Sequence, residues 1–234
     1  MIMYEEYIER IKRKETAAEE VPKFDMKWNF PIRDPFDDEE RGLFNSLDWL
    51  SQIKSLYFEI RWSLMEALSY EKEEKTIWLF RYYCENAIYR IFSLIEKIGQ
   101  LVNDRCQLGM EIKEISFNKT LKLLCDKKFH SLYNILSALK NNAHLKDLQE
   151  SYRHPKTHRR EPYLKEFKNY RMQMTKEETD VVRAVHFGVT YDGIKWNKDK
   201  LKNSLVESCK ILATALKEII PIMYKKDDLD YEMI

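Results

Sequence analysis

Glycine and proline are scarce in this chain, at 5 and 6 among 234 residues. The shortage argues against a turn-rich sheet protein, whose strands need such residues at most reversals, and leaves long helices unobstructed. The cysteines Cys84, Cys106, Cys125 and Cys209 lie far apart and form no C-x-x-C pair. No zinc or redox motif can be built from that spacing, and the four read as buried free thiols. No apolar run approaches the roughly 20 residues needed to span a bilayer, and the N-terminus lacks a signal peptide's apolar core, so a cytoplasmic chain without a membrane role is expected. There is no Gly-rich phosphate loop, no H-E-x-x-H pair and no G-x-S-x-G elbow. The 5 histidines are too scattered to assemble a metal site, and no cofactor is expected. An excess of charge is missing too: 40 basic and 39 acidic side chains leave a net charge of +1. Affinity for nucleic acid must therefore come from a local patch.

What is present is enough apolar material for a packed core, 44% of residues, in helical rhythm. Leu43, Leu47, Leu50, Ile53, Tyr57, Ile60, Leu64 and Leu68 recur every three or four positions, which predicts a helix over residues 40–70 packing one face inward. Ile77, Phe80, Cys84, Ala87, Ile91, Ile95, Ile98 and Val102 repeat the pattern after the charged break Glu71 to Lys75. Two such helices on a short connection pack antiparallel. Tyr82, Tyr83, Tyr89 and Phe92 widen the second apolar face. A short helix around Phe117 to Cys125 and a further run through Phe129, Leu132, Leu136 and Leu139 follow. Pro155 cannot sit inside a helix, so this third run should end, kink or restart near His154.

Residues 161–196 lack sustained periodicity, and Gly188 with Asp192-Gly193 reads as a turn or small hairpin between short strands. Asn197 or Asp199 then caps a last helix through Leu201, Leu205, Cys209, Leu212, Leu216 and Ile219 up to Pro221. The expected fold is all-α: an up-and-down bundle of four to five main helices with a small irregular, hairpin-like insertion before the last. Residues 1–40 form an N-terminal arm, helix-forming at first and extended from Val21 to Phe36. Residues 41–225 form the bundle, with the insertion at about 159–197, and residues 226–234 an acidic, frayed tail.

Charge is not spread evenly. From Ser151 to Lys176 eight basic residues face only Glu161 and Glu166, so a polyanion would be drawn there. Tyr152 and Tyr163 are interleaved with Lys156, Arg159 and Arg160, and aromatic faces beside cations suit unpaired bases and phosphates. Within this segment Arg153 and His158 flank four residues. Arginine offers a planar fork of donors to phosphate oxygens, and histidine exchanges protons near neutrality. Cutting RNA without a metal needs a base for the ribose 2′-OH, a cation for the charged transition state and an acid for the leaving oxygen. Arg153 suits the cation, His158 a proton-transfer role, and His154 the remaining one.

An R-x4-6-H pattern at the end of a helix in an all-α bundle, with a polar residue directly after the arginine, resembles the HEPN superfamily (higher eukaryotes and prokaryotes nucleotide-binding). Here the residues are Arg153, His154 and His158; asparagine is the usual second residue and histidine a known replacement. The resemblance covers about Leu43 to Pro221. It implies a metal-independent endoribonuclease whose two protomers bring their motifs together across a homodimer interface. Superfamily members include RNases of toxin–antitoxin pairs and abortive-infection proteins, which implies phage defence and an antitoxin-like partner. Other members bind nucleotides or act as inactive partners, so the alternative is a catalytically inactive nucleotide-binding or protein-interaction bundle.

Overall fold

The computed structural model describes residues 2–23, 25–28, 38–70, 77–153, 176–224 and 229–232. In chain order the elements are α1 (Ile2–Glu20), β1 (Asp25–Trp28), α2 (Asp38–Tyr70), α3 (Ile77–Arg105), α4 (Phe117–Asp126), α5 (His130–Asn141), α6 (Ala143–Asp147), a π-helical stretch (Leu148–Arg153), α7 (Lys176–Met223) and β2 (Leu229–Glu232). A single 3-10 turn at Ile112–Glu114 precedes α4. The protein is all-α apart from the short ribbon. Among the described residues no helix is long and apolar enough to cross a membrane.

The two periodic stripes meet as expected. Leu50, Ile53, Tyr57, Ile60 and Leu64 of α2 are buried with Phe80, Cys84, Ile91, Leu94, Ile98 and Leu101 of α3, and the two helices form the most extensive contact among the described elements. The pair is fixed at its edge by the Arg90 Nε to Glu59 Oε2 ion pair at 2.5 Å. Tyr82 and Tyr89 stay exposed while Phe92 is buried, so only part of the widened aromatic face of α3 enters the core. Cys84 and Cys209 are buried thiols and Cys106 is half-buried, but Cys125 is exposed on α4, contrary to the expectation for all four.

Smaller elements are set by caps and by one close approach. Ser116 caps α4 by accepting from Lys119 N at 3.3 Å, and Glu96 Oε2 of α3 accepts from Phe117 N at 3.1 Å. A carboxylate at a helix start is favoured by its dipole. A Cβ at Gly99 would lie 3.4 Å from Thr120 Oγ1 and 3.6 Å from Phe117 Cα, at ordinary van der Waals contact, so α4 passes close over α3 here. Asn142 ends α5 and caps α6, its Oδ1 accepting from His144 N and Leu145 N at 2.9 and 3.2 Å.

α1 lies across α2. Arg61 Nε and Nη2 donate to Val21 O at 3.2 Å and Ala18 O at 2.9 Å, satisfying carbonyls at the α1 C-terminus that no helical partner reaches. Tyr57 OH donates to Pro22 O at 3.1 Å, and burial, more than its charged neighbours, drives the Tyr57 pKa upward. β1 pairs antiparallel with β2, Asp25 opposite Glu232 and Trp28 opposite Leu229. Residues 229–232 of the acidic tail, expected to be frayed, are thus paired with residues 25–28.

The insertion is the main correction among the described residues. Phe187 to Trp196, expected as a hairpin, is helical, and α7 runs unbroken from Lys176 to Met223. No proline interrupts residues 176–220, and an interior glycine costs a helix only about 1 kcal/mol relative to alanine. Gly188 and Gly193 are therefore not enough to stop a helix continued from the well-packed Leu201, Leu205, Leu212 and Leu216 face. The expected cap at Asn197 or Asp199 falls inside α7. Pro221 lies in its last turn, which Arg105 Nη2 closes by donating to Met223 O at 2.7 Å.

Candidate functional site

The chain approaches its basic segment through α5, α6 and the π-helical stretch. α5 buries Leu132, Leu136 and Leu139, and after the Asn142 break α6 buries Leu145. The next six residues widen into a π-helix, in which Leu148 and Tyr152 turn into the core. Such widened turns recur at functional positions because they re-aim side chains relative to an ordinary helix. Arg153 is the last residue of the stretch. Its guanidinium carbon lies 4.5 Å from the centre of the Phe92 ring on α3. A cation over an aromatic face is attracted by the ring quadrupole, and more so when the ring is screened from water; Phe92 is only 6% exposed.

A second set of contacts ties the π stretch to α7. Asp147 accepts from Lys200 Nζ at 2.7 Å, from Ser204 Oγ at 2.9 Å and from Ser151 Oγ at 3.1 Å. Burial alone would raise the Asp147 carboxyl. The hydrogen bonds from Lys200 and Ser204, with the lysine's charge and Ser151 behind them, outweigh it and hold the group below the usual carboxylate range. The carboxylate therefore stays charged and clamps three segments: the end of α6, the π stretch and the middle of α7.

The all-α bundle is matched by a family model. The model, described as HEPN_Cthe2314-like HEPN, covers residues 40–220. The chain belongs to the HEPN superfamily. Membership points to a nucleotide- or RNA-related role. No curated protein and no solved structure matches it.

For this HEPN chain the sequence-predicted site divides in two. Arg153 and Tyr152 are described; His154, Lys156, His158, Arg159, Arg160 and Tyr163 lie outside the described residues. Tyr152, expected to stack on a base, is 8% exposed and belongs to the core cluster, so its ring is spent on packing. The reason is the π stretch, which sends Leu148 and Tyr152 inward together. The residues that contact Arg153 or tie down the π stretch were not singled out from sequence. Phe92 counted only as one of several aromatics on α3. Asp147, Lys200 and Ser204 were hidden because their partnership spans 57 positions from Asp147 to Ser204 and no local pattern announces it.

Proposed function

We propose that the protein is a metal-independent endoribonuclease acting on single-stranded RNA. The observation that carries the reading is the setting of Arg153: an arginine ending a helical run, half-buried, held above a screened aromatic ring within a HEPN chain. A guanidinium recognises phosphate oxygens through a planar fork of donors, and one held at a fixed origin is the form of electrostatic preorganisation that favours a charged transition state.

In this reading His158 and His154 share the proton transfers. One takes the proton of the ribose 2′-OH, whose oxygen attacks the adjacent phosphorus; Arg153 offsets the added negative charge. The other gives a proton to the 5′-oxygen as its bond to phosphorus breaks. The products are a 2′,3′-cyclic phosphate on one fragment and a 5′-hydroxyl on the next, with no net consumption of protons. Lys156, Arg159, Arg160 and Tyr163 hold the flanking nucleotides. Two copies of the chain bring their Arg153 and His158 together in a homodimer, and an antitoxin-like protein partner restrains the activity in a phage-defence or toxin–antitoxin setting.

Purified protein incubated with single-stranded RNA in EDTA, with the product ends identified chemically, tests the reading. Cyclic phosphate and 5′-hydroxyl ends support it. Bound but uncut RNA would instead favour the inactive, nucleotide-binding alternative.

A further inference from the structure

A second basic surface lies outside the R-x4-6-H segment. Between Phe117 and Lys146 the sequence places six lysines against a single carboxylate, Asp126, in a protein whose total charge is +1. All six are exposed. Lys119 and Lys122, three apart on α4, project from the side opposite Phe117, Thr120, Leu121 and Leu124, which are buried. Lys128 follows in the turn to α5, and Phe129 beside it is 38% exposed. Lys119, Lys122 and Lys128 form no ion pair among the described residues. Several lysines elsewhere are neutralised: Lys14 by Glu66, Lys113 by Glu111, Lys200 by Asp147 and Lys210 by Glu207. Lys127 is set apart, because its ammonium already donates to the Gln107 and Leu108 carbonyls at 2.9 and 3.3 Å.

The turn itself carries a cost. Lys128 has φ +62°, a left-handed backbone that a side-chain-bearing residue adopts at some expense and glycine adopts freely. Its φ reverses the chain after α4, with Phe129 N donating to Leu124 O at 2.9 Å, and places Phe129 directly after the Lys128 cation. Exposed lysines without ion pairs and an exposed aromatic ring are what a single strand needs: charges for its phosphates and a platform for a base. We infer that Lys119, Lys122, Lys128 and Phe129 form an accessory surface that holds the single-stranded RNA flanking the cleavage point. α4 to α6 run continuously into the π stretch that ends at Arg153. The two regions also share a neighbour, since α4 starts against Glu96 of α3 and Arg153 lies over Phe92 one turn earlier on that helix. The inference rests on RNA as the substrate proposed above.

The test is fluorescence anisotropy of the full chain with labelled oligouridylate of about 20 nucleotides, a length several single-strand contacts can share, across a salt series. Phe129→Ala should weaken binding at least about 5-fold. Lys119→Gln with Lys122→Gln should weaken it and lower the salt slope by about 1.4, since each phosphate contact on a single strand contributes about 0.7. Lys128→Gly is the discriminating variant: it removes the charge but relieves the left-handed backbone. It should hold or raise the melting temperature while weakening RNA binding, whereas a merely structural lysine would move neither affinity nor slope. Unchanged affinity and slope in all three variants would overturn the inference. So would absence of RNA binding by the wild type, or capture of poly-glutamate in its place, which would mark the surface as a site for an acidic protein. Cleavage in EDTA, followed in parallel, reports on the nuclease reading separately: RNA held through these residues but never cut leaves the surface standing and removes the chemistry.

Discussion

Arg153 and Phe92 are joined across 61 positions of sequence by a cation resting 4.5 Å above a ring centre. The ring is buried on α3 and the arginine ends the π stretch, so the contact fixes the origin of the arginine side chain. Phe92→Leu keeps an apolar side chain of similar reach and removes the ring face. It should lower the cleavage rate about 2- to 30-fold, the range of a partly desolvated cation–π contact, and leave RNA affinity nearly unchanged. Phe92→Tyr, which restores the ring, should recover most of the rate. Comparing kcat with KM for the two variants checks this, with urea unfolding to confirm that both are folded.

The Asp147 clamp makes a pH-dependent contribution to stability. Its carboxyl titrates below the ordinary value of 3.8 in the folded protein, so the folded state favours the charged form. The stabilisation is fully present above that ordinary value and disappears as pH falls through the depressed folded value. Asp147→Asn should therefore cost about 1–2 kcal/mol near pH 7, a figure kept modest because Lys200 is 47% exposed. Wild type and variant should converge under strongly acid conditions. Urea unfolding of both proteins along a pH series measures the difference.

Arg61 tethers α1 to the bundle through the Val21 and Ala18 carbonyls. Arg61→Ala should leave α2 and α3 intact but free the C-terminal turn of α1, at a cost of about 1–3 kcal/mol for two charge-assisted bonds. Hydrogen exchange at residues 17–21 should accelerate well before exchange in the α3 core does.

Much of this fold is legible in sequence because burial writes a period into it. The stripe from Leu50 to Leu64 and the one from Phe80 to Val102 each need a buried face, and no other element satisfies a 3.6-residue repeat of that length. The N-terminal half of α7 is not legible in the same way. Gly188 and Asp192-Gly193 carry a strong local turn signal, and what overrides it is continuity with a helix packed farther along the chain. The π stretch is hidden for another reason: widening a helix by one residue per turn changes which side chains face inward, and so Tyr152, expected beside the RNA, lies in the core. Arg153 was identified from its spacing to His158, yet Phe92 beneath it and the Asp147 clamp depend on tertiary contacts that no window of sequence contains.

The nuclease reading is tested most directly by the rate at which single-stranded RNA is cut in EDTA by the wild-type chain and by His158→Ala, with binding of the same RNA measured alongside. The account predicts that wild type leaves 2′,3′-cyclic phosphate ends. It predicts that His158→Ala still binds but cuts at least about 100-fold more slowly, the lower end of what a positioned acid or base contributes. Cleavage by His158→Ala at the wild-type rate would contradict it.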